Sequence, residues 1–575
     1  MLWKKWKEYN PPAKIQLFSV EKYPLPFSII EEVFNKEEGI KFFAEEFLHF
    51  YKSISSGYNR FATENGNIEL TLIVADAADI QDSFKAKIDV WFLDGFSPAK
   101  NPEMWTREIF EFMKRNSKEG ASFSTYTTAG FVKESLVNVG FVIEKVEGFG
   151  KKKHMLKGNI PITRQKISDK PWFRIPKYRF KTLQAIIIGG GLAGTSLAFA
   201  LSQKGFSSTI IEKEDKISSG ASGNLAGMFA PLLTGDISEL SEWSITAYKK
   251  FVSFLDSYSA QFPDIFKNSG VFQVISSKEE FNRLKNALKH SNMNLTDVNF
   301  LSQENEIMNG FEGVFFPRAG WVNPISLAQA YLKIAGNFVV QRLSTRLISI
   351  QQENANWKIT LSNGEVLESE ILIFANSYHT SDFIVGLDEK KKVRGQLLYY
   401  PSDKFPIPLD KVILHEDGYI IPNINGFHLI GATFDPTDSS CDLNLEHNVY
   451  LLQKLKKIIP TINPEVGKSM TGRVSFRAMS RDHLPIIGPV PDIKSFTEEY
   501  SDLWKSNIYK DYEDGKYLHG LFVSSSHGSK GILNSYLAAI VLSEIISNGN
   551  SQFSLDLQQR VNPSRFLIQR FINKF

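Results

Sequence analysis

Cysteine is almost absent from this chain of 575 residues, in which Cys441 is the only one. A disulfide within the chain is therefore excluded, and a metal site built from cysteine thiolates is not expected. A chain that does without disulfides is typical of the reducing cytoplasm, and we expect the protein to be cytoplasmic.

Long apolar runs and a strong charge of one sign are also lacking. The lysines near the amino terminus are not followed by an apolar stretch, which argues against a secretory signal. The longest apolar run, residues 185–201, is interrupted by three consecutive glycines, so no membrane span is expected there. The 66 Lys and Arg against 63 Asp and Glu give a net charge of +3, which neither requires nor excludes a nucleic-acid partner.

The length and the pattern of the chain predict two α/β domains. One hydrophobic core rarely serves so many residues. Residues 158–182 carry prolines and basic residues without apolar periodicity, which is typical of a linker. It separates a first domain, 1–157, from a second, 183–575, and in both of them short apolar strands alternate with helical stretches. The strands predicted in the first domain are 15–20, 70–74, 90–93 and 122–126.

A glycine-rich loop between a strand and a helix is the clearest motif. After the predicted strand 185–188, Gly189, Gly191 and Gly194 follow the spacing G-x-G-x-x-G, and a helix is predicted over 195–204. The first glycine permits a tight turn, the second lets the backbone approach a pyrophosphate, and the third lets the helix pack against the strand. The alternative is a glycine-rich turn of some other fold.

Further residues around this motif favour FAD. Glu212 ends the next predicted strand, 208–211, where a carboxylate can accept hydrogen bonds from ribose hydroxyls. Ser222 and Asn224 lie in a run of small residues, 219–224, that would let a long cofactor pass close to the backbone. A second loop precedes the apolar helix predicted over 532–546, and the amino terminus of that helix suits the electron-rich edge of a flavin. The residues of that loop assigned to the cofactor are Gly528, Ser529, Lys530 and Gly531, and an ordinary helix cap is the alternative.

These motifs, with Arg477 and the segment 482–488, resemble the D-amino-acid oxidase and glycine oxidase class of flavoproteins. The resemblance implies an FAD-binding Rossmann domain with an antiparallel-sheet substrate subdomain. It also implies that Arg477 holds the substrate carboxylate through two parallel hydrogen bonds. Ser475 stands where the class has a glycine. Tyr419 matches a substrate-facing tyrosine. The alternatives are a structural ion pair for Arg477 and a core position for Tyr419.

Three acids in the first domain follow predicted strands. Glu21 follows the strand 15–20, Asp76 the strand 70–74 and Asp94 the strand 90–93. The carboxyl edge of a parallel sheet is where open α/β folds bind ligands. We therefore expect a ribose near Glu21, an adenine near Asp76 and a second ligand near Asp94.

Segments 90–105, 127–132 and 148–153, followed by a flavin domain, resemble one family over almost the whole chain. It is the family of bifunctional tRNA 5-methylaminomethyl-2-thiouridine biosynthesis proteins, MnmC. The resemblance implies an amino-terminal methyltransferase that uses S-adenosyl-L-methionine and a carboxy-terminal FAD-dependent oxidoreductase acting on a CH–NH bond. Both would act in turn on the wobble uridine of tRNA. The oxidoreductase would remove a carboxymethyl group from 5-carboxymethylaminomethyl(-2-thio)uridine, and the methyltransferase would then methylate the amine near Asp94.

One expected element of the first domain is not found. A Rossmann-like methyltransferase begins with a strand and a glycine-rich loop that binds the methionine part of its cofactor, whereas the first glycine here is Gly39, beyond Glu21. We therefore expect an incomplete methyltransferase sheet with unpaired neighbouring strands.

The tRNA contact and the overall function leave alternatives open. Lysines at 4, 5, 7 and 151–153 and the basic residues at 179 and 181 are candidates for phosphate contacts, or are solvated charges. One rival function is a free glycine or D-amino-acid oxidase without an RNA substrate. Another is an RNA-binding protein whose flavin takes no part in catalysis.

Overall fold

The computed structural model divides the chain into two compact units. Unit 1 comprises Met1–Lys170 and Gln552–Asp556, and unit 2 comprises Pro171–Ser551 and Leu557–Phe575. The boundary at Lys170 falls inside the linker predicted at 158–182. The structure describes residues 15–36, 44–62, 68–81, 84, 86–98, 100–148, 153–159, 170–233, 238–263, 265–267, 269–275, 277–290, 299–301, 313–384, 386, 390–415, 418–505, 512–549, 553 and 555–574. The basic residues 4, 5, 7, 151 and 152 and the glycine at 39 lie outside these ranges.

Unit 1 has seven strands in its described residues. They are β1 (Ile15–Val20), β2 (Gly57–Ala62), β3 (Ile68–Val74), β4 (Ile88–Leu93), β5 (Ser117–Thr125), β6 (Val142–Glu147) and β7 (His154–Asn159). Helices span Phe27–Lys36, Ala44–Lys52, Arg107–Arg115 and Gly130–Val139. The four strands predicted here all exist. The first has the predicted bounds, and the other three begin two to five residues earlier than predicted.

The strands of unit 1 form two sheets. One has the order β1-β3-β2, with β1 parallel to β3, and the other has the order β4-β5-β7-β6, with β4 parallel to β5. Within the described part of the chain, β1 and β4 are therefore edge strands. On β4, Phe92 is 66% exposed and Val90 is 48% exposed. The sheets nevertheless share a core, in which Phe18 and Ile73 pack with Trp91 and Phe112.

Unit 2 contains the remaining strands. They are β8 (Gln184–Ile188), β9 (Ser207–Ile211), β10 (Gly227–Phe229), β11 (Phe266–Lys267), β12 (Val271–Val274), β13 (Asn299–Leu301), β14 (Gly313–Phe316), β15 (Gly320–Val322), β16 (Val339–Arg342), β17 (Leu347–Glu353), β18 (Asn356–Leu361), β19 (Val366–Ser369), β20 (Ile371–Phe374), β21 (Lys390–Pro401), β22 (Val412–His415), β23 (Gly418–Ile424), β24 (Phe427–Gly431), β25 (Gly472–Ser480), β26 (Ile486–Pro491) and β27 (Tyr517–Ser525). From residue 171 onward the described helices are Leu192–Ser202, Glu239–Tyr258, Lys278–His290, Pro324–Ala335, Leu445–Leu455, Ile493–Tyr500, Gly531–Ile546, Leu555–Val561 and Arg565–Asn573.

Two large sheets organise unit 2. The first has the order β16-β9-β8-β20-β27-β26 and is parallel except for its edge strand β26. Its inner strands β8 and β20 carry continuous buried apolar residues, as expected of parallel strands covered on both faces. The second has the order β13-β14-β12-β22-β23-β24-β21-β25 and is antiparallel except between β12 and β22. This is an α/β fold with a Rossmann sheet and an antiparallel subdomain, as predicted.

The most apolar helix of unit 2 belongs to its interior. In the described residues, Gly528–Ile546 is the one helical stretch long and apolar enough to cross a bilayer by length and composition. However, 67% of its 18-residue window is buried inside the protein, and it packs on the helix Leu192–Ser202. Its apolar surface is thereby accounted for by core packing.

Close packing at two glycines joins the strand β8 to the helix that follows it. Gly189 has φ of 111°, a conformation that favours glycine, and a Cβ atom there would lie 2.7 Å from the carbonyl oxygen of Ala375. A Cβ atom at Gly194 would overlap with the carbonyl oxygen of Gly189. The loop can therefore take this path only if both positions lack a side chain.

Replacing Gly194 with alanine tests this packing. The Gly194→Ala change is expected to lower the free energy of unfolding by about 1–3 kcal/mol, because the helix must move away from the strand. Thermal unfolding followed by calorimetry measures the effect. The matched control is Gly130→Ala, since a Cβ atom at that helix start meets no atom within 4 Å. Equal unfolding temperatures for the two variants would contradict the packing argument.

Candidate active site

Unit 2 contains a cavity of about 1320 Å³. Sites for drug-sized ligands are usually about 300–1,000 Å³, so this cavity has room for a long cofactor together with a substrate. Gly194 does not line it, which agrees with a packing role for the third glycine. The predicted residues of unit 2 that do line it are Gly189, Gly191, Glu212, Ser222, Asn224, Tyr419, Arg477, Gly528, Ser529, Lys530 and Gly531.

The first helix amino terminus at the cavity is that of Leu192–Ser202. The residue at its N-cap position is Gly191, which has no side chain to cap the helix. The Leu192 N–H donates to Ser222 Oγ at 3.1 Å. The Glu212 carboxylate accepts the Gly190 N–H at 2.7 Å through one oxygen and the Glu214 N–H at 3.1 Å through the other. Each oxygen keeps a free lone pair. The arrangement therefore fits a phosphate at the helix and ribose hydroxyls at Glu212.

A second helix amino terminus, that of Gly531–Ile546, also meets the cavity without a side-chain cap. Beside it, Ser526 Oγ and His527 Nδ1 are buried and have no hydrogen-bond partner among the described residues. Burial lowers the pKa of His527 to about 4, so its imidazole is neutral at physiological pH. Unpartnered polar atoms of this kind are rare in proteins and fit the polar edge of a bound flavin.

Lys530 adds a cation at the same end of the cavity. Its Nζ atom donates to the Ala230 carbonyl oxygen at 3.3 Å. Burial lowers its pKa to about 8, so the side chain is still mostly charged at neutral pH. A bound electron-rich group would stabilise the charged form further.

Arg473 was missed by the sequence analysis. It donates to Asn224 Oδ1 at 2.7 Å and to the carbonyl oxygens of Ser219 and Gly220 at 3.0 and 2.7 Å. The run of small residues is thus tied to β25 of the antiparallel sheet. The sequence did contain a signal for Arg473: it lies four residues before Arg477, which places both side chains on the same face of a strand.

Arg477 presents a charge to the cavity without a matching anion. Its guanidinium donates to Ser529 Oγ at 3.3 Å and to the Thr433 carbonyl oxygen at 3.5 Å, both weak contacts. Within the described ranges no carboxylate pairs with it, and burial lowers the pKa of this guanidinium. A half-buried cation without a counter-ion favours an anionic ligand. The structural ion pair considered for Arg477 is not observed among the described residues.

The side chain of Arg477 has room to reach the cavity because Gly395 lies beneath it. A Cβ atom at Gly395, on the neighbouring strand β21, would come within 2.8 Å of the guanidinium carbon Cζ. Any larger residue would push the guanidinium aside. Gly395 is therefore a second site residue that sequence reasoning did not find.

Tyr419 on β23 completes the group around Arg477. Burial raises the pKa of Tyr419 and outweighs the opposite effect of the Arg477 charge, so the phenol stays protonated. A phenolic O–H and a guanidinium can both donate to one carboxylate. The structure thus brings together the two predicted substrate-binding residues of unit 2.

Arg394 holds the loop on the far side of the cavity. It is fully buried and donates to the carbonyl oxygens of Ser440 and Asp442 at 2.9 and 2.5 Å. It also lies 3.2 Å from the Asp438 carboxylate. The loop 433–444, which contains cavity-lining residues, is therefore fixed by a buried cation that the sequence did not reveal.

In unit 1 the predicted acids lie at strand ends. Glu21 and Asp76 follow the parallel neighbours β1 and β3, so both are at one sheet edge. The Lys22 ammonium lies 2.8 Å from the Asp76 carboxylate and lowers the pKa of Asp76. Asp94 follows β4 in the other sheet, and no contact joins its side chain to Glu21 or Asp76 in the described part. The structure therefore brings together two of the three predicted acids.

The Rossmann sheet, the antiparallel subdomain and the cavity with two helix termini define an FAD-dependent oxidoreductase. The family model described as FAD dependent oxidoreductase matches residues 184–545, and a model of S-adenosyl-L-methionine-dependent methyltransferases matches residues 38–161. The fold of unit 2 is similar to a glycine oxidase from Geobacillus kaustophilus, with a TM-score of 0.53 and 19% identity over 66% of this chain and 98% of that one.

The chain belongs to the family of bifunctional MnmC proteins. It is 32% identical to the tRNA 5-methylaminomethyl-2-thiouridine biosynthesis bifunctional protein MnmC of Leptospira borgpetersenii serovar Hardjo-bovis, over 98% of this chain and 89% of that protein. It is 29% identical to the protein of the same name from Chromobacterium violaceum, over 98% and 86%. Both parts of the family's two-domain arrangement are thus present.

Two substitutions test the arginine site. Arg477→Ala should weaken binding of a small carboxylate such as acetate about 10- to 100-fold, because a hydrogen-bonded charge contributes about 1.5–3 kcal/mol. Gly395→Ala should act in the same direction by displacing the guanidinium. Perturbation of the flavin absorbance measures the dissociation constant. Arg318→Ala, which removes a surface ion pair with Asp256 and leaves the cavity lining unchanged, is the control. Unchanged acetate binding in Arg477→Ala would exclude Arg477 from this role.

Proposed function

We propose that unit 2 oxidatively removes the carboxymethyl group from 5-carboxymethylaminomethyl(-2-thio)uridine at the wobble position of tRNA. The observation that carries the proposal is the half-buried guanidinium of Arg477, which faces the cavity and has no counter-ion among the residues that the structure describes. The substrate side chain ends as an N-substituted glycine, and its carboxylate would supply the anion that the described residues do not provide. The MnmC relatives are named for the biosynthesis of a closely related tRNA nucleoside.

In the proposed reaction the residues of unit 2 bind and orient the substrate. Arg477 and Tyr419 donate hydrogen bonds to the carboxylate, which fixes the position of the adjacent methylene group. FAD, when bound along Gly189, Gly191 and Glu212, supplies the acceptor for the hydride that leaves this carbon. The resulting imine takes up water and breaks its C–N bond, which releases glyoxylate and leaves the 5-aminomethyl nucleoside on the tRNA.

The charge at Arg477 also affects the substrate amine. A hydride leaves the methylene carbon only when the amine nitrogen has a free electron pair. A nearby cation disfavours the protonated amine, because like charges repel in a partly desolvated site. Arg477 therefore favours the reactive neutral amine as well as holding the carboxylate.

For unit 1 we propose methyl transfer from S-adenosyl-L-methionine to the amine released by unit 2. Glu21 would bind the ribose and Asp76 the adenine, and Asp94 would accept a proton from the amine or orient it. Support comes from the methyltransferase family model and from the shared sheet edge of Glu21 and Asp76. The organisation proposed is a methyltransferase domain at 1–157, a linker at 158–182 and an FAD domain at 183–575 in a cytoplasmic protein.

Two substitutions should each impair one of the two activities and spare the other. Arg477→Ala should lower glyoxylate release about 10- to 100-fold and leave methylation of 5-aminomethyl tRNA intact. Asp94→Asn should lower methylation and leave glyoxylate release intact, because an amide cannot accept the proton of the amine. Nucleoside analysis of tRNA after incubation, with and without S-adenosyl-L-methionine, measures both steps.

The same experiment contains the outcomes that would contradict the proposal. Free glycine and N-methylglycine are included as substrates, since the rival function is oxidation of free amino acids. Turnover of these amino acids without release of glyoxylate from tRNA would overturn the assignment of unit 2. Absence of S-adenosyl-L-methionine binding at equilibrium would overturn the assignment of unit 1 alone.

A further inference from the structure

Several aromatic side chains line the cavity, and four of them form the group considered next. They are Tyr378, Phe434, Tyr450 and Phe476, and they are called here the aromatic rim. Phe434 is 54% exposed and Tyr450 is 48% exposed. Exposed aromatic side chains grouped at a functional cavity mark an interaction surface more often than scattered ones do.

The rim is continuous with the arginine site. The Thr433 carbonyl oxygen accepts a hydrogen bond from Arg477, and Phe434 is the next residue. Phe476, next to Arg477 on β25, lines the same cavity from the other face of that strand. Tyr450 lies one turn beyond His447 in the helix Leu445–Leu455, and the two line the cavity together. A ligand anchored by its carboxylate at Arg477 would therefore have its remaining part beside the rim.

Lysine side chains lie close to three rings of the aromatic rim. The Lys392 ammonium lies 4.0 Å from the ring centre of Phe476 and 5.0 Å from that of Tyr378. The Lys454 ammonium lies 5.4 Å from the ring centre of Tyr450. Aromatic faces for stacking together with cations for phosphates are the combination that binds single-stranded nucleic acids.

The loop that carries Phe434 of the rim is held in place before any ligand binds. Arg394 is fully buried and binds the loop 433–444 through Ser440, Asp438 and Asp442. Arg394 also exchanges backbone hydrogen bonds with Asp435, next to Phe434. The carboxylates in this acidic loop are partly engaged, since Asp438 pairs with Arg394 and Asp435 accepts the N–H groups of Thr437 and Asp438. A preorganised surface loses less entropy on binding.

We propose that the aromatic rim stacks on the bases next to the nucleotide whose side chain enters the cavity, with Lys392 and Lys454 near their phosphates. This inference rests on the proposed function of unit 2. It assigns recognition of a single-stranded RNA loop to Phe434 and Tyr450, which need take no part in the chemical step. A free amino acid would not extend to this surface.

The test compares a large and a small substrate. Phe434→Ala and Tyr450→Ala are assayed in the flavin-loaded full chain with modified tRNA and with the free nucleoside 5-carboxymethylaminomethyluridine. Stacking of one base contributes about 1–3 kcal/mol, so each variant should raise the KM for tRNA by at least about fivefold. The kcat for tRNA and both constants for the nucleoside should stay within about twofold of the original protein.

Conservative and distant variants complete the design. Phe434→Trp should restore the tRNA KM, because stacking needs only an aromatic face. Phe338→Ala removes another exposed phenylalanine, 45% exposed and outside the rim, and should have no effect. Fluorescence anisotropy with a labelled anticodon stem–loop gives the dissociation constant directly.

Two results would overturn the inference while leaving the proposed function intact. One is an unchanged tRNA KM in both alanine variants. The other is an equal loss with tRNA and with the free nucleoside, which would make the rim part of the small-substrate pocket. An original protein that oxidises the nucleoside but no tRNA would instead overturn the proposed function itself.

Discussion

The close contact between Gly194 and Gly189 is the constraint on which unit 2 depends. It sets how closely the helix Leu192–Ser202 approaches the central strand β8, since a Cβ atom at Gly194 would overlap with a carbonyl oxygen. That approach directs the free N–H groups of the helix into the cavity and brings the Gly190 N–H to Glu212. The strand β8, the amino terminus of the helix and Glu212 therefore hold fixed positions relative to one another, and together they form a cofactor site.

The second constraint is electrostatic and belongs to the antiparallel sheet. The paired strands β25 and β21 carry three arginines with different roles, namely Arg473, Arg477 and Arg394. Arg473 ties the Ser219–Asn224 segment to the sheet, and Arg394 fixes the loop 433–444 from inside. Arg477 faces the cavity and, among the described residues, has only weak hydrogen-bond partners. Two of these charges are thus used to build the site, and the third is left for a ligand.

Unit 1 shows how a sequence prediction can be right about elements and limited about their arrangement. All four predicted strands exist, and Glu21 and Asp76 meet at one edge because β1 and β3 are parallel neighbours. In the described residues, however, β1 and β4 belong to different sheets, and Asp94 makes no contact with the other two acids. Strand pairing is a non-local property, and the alternation of apolar residues does not encode it.

The sequence by itself determined the α/β class, the glycine loop with Glu212, and the resemblance that pointed to Arg477 and Tyr419. These features depend on local spacing, which a chain carries wherever it folds. Only the tertiary structure decided that Arg477 has no counter-ion in the described residues, that Gly395 makes room for it, and that Arg473 and Arg394 hold the surrounding loops. It also brought Phe434, Tyr450 and Phe476 to one cavity. Those residues come from distant parts of the chain, and whether a charge is paired or an aromatic ring exposed depends on neighbours that only folding supplies.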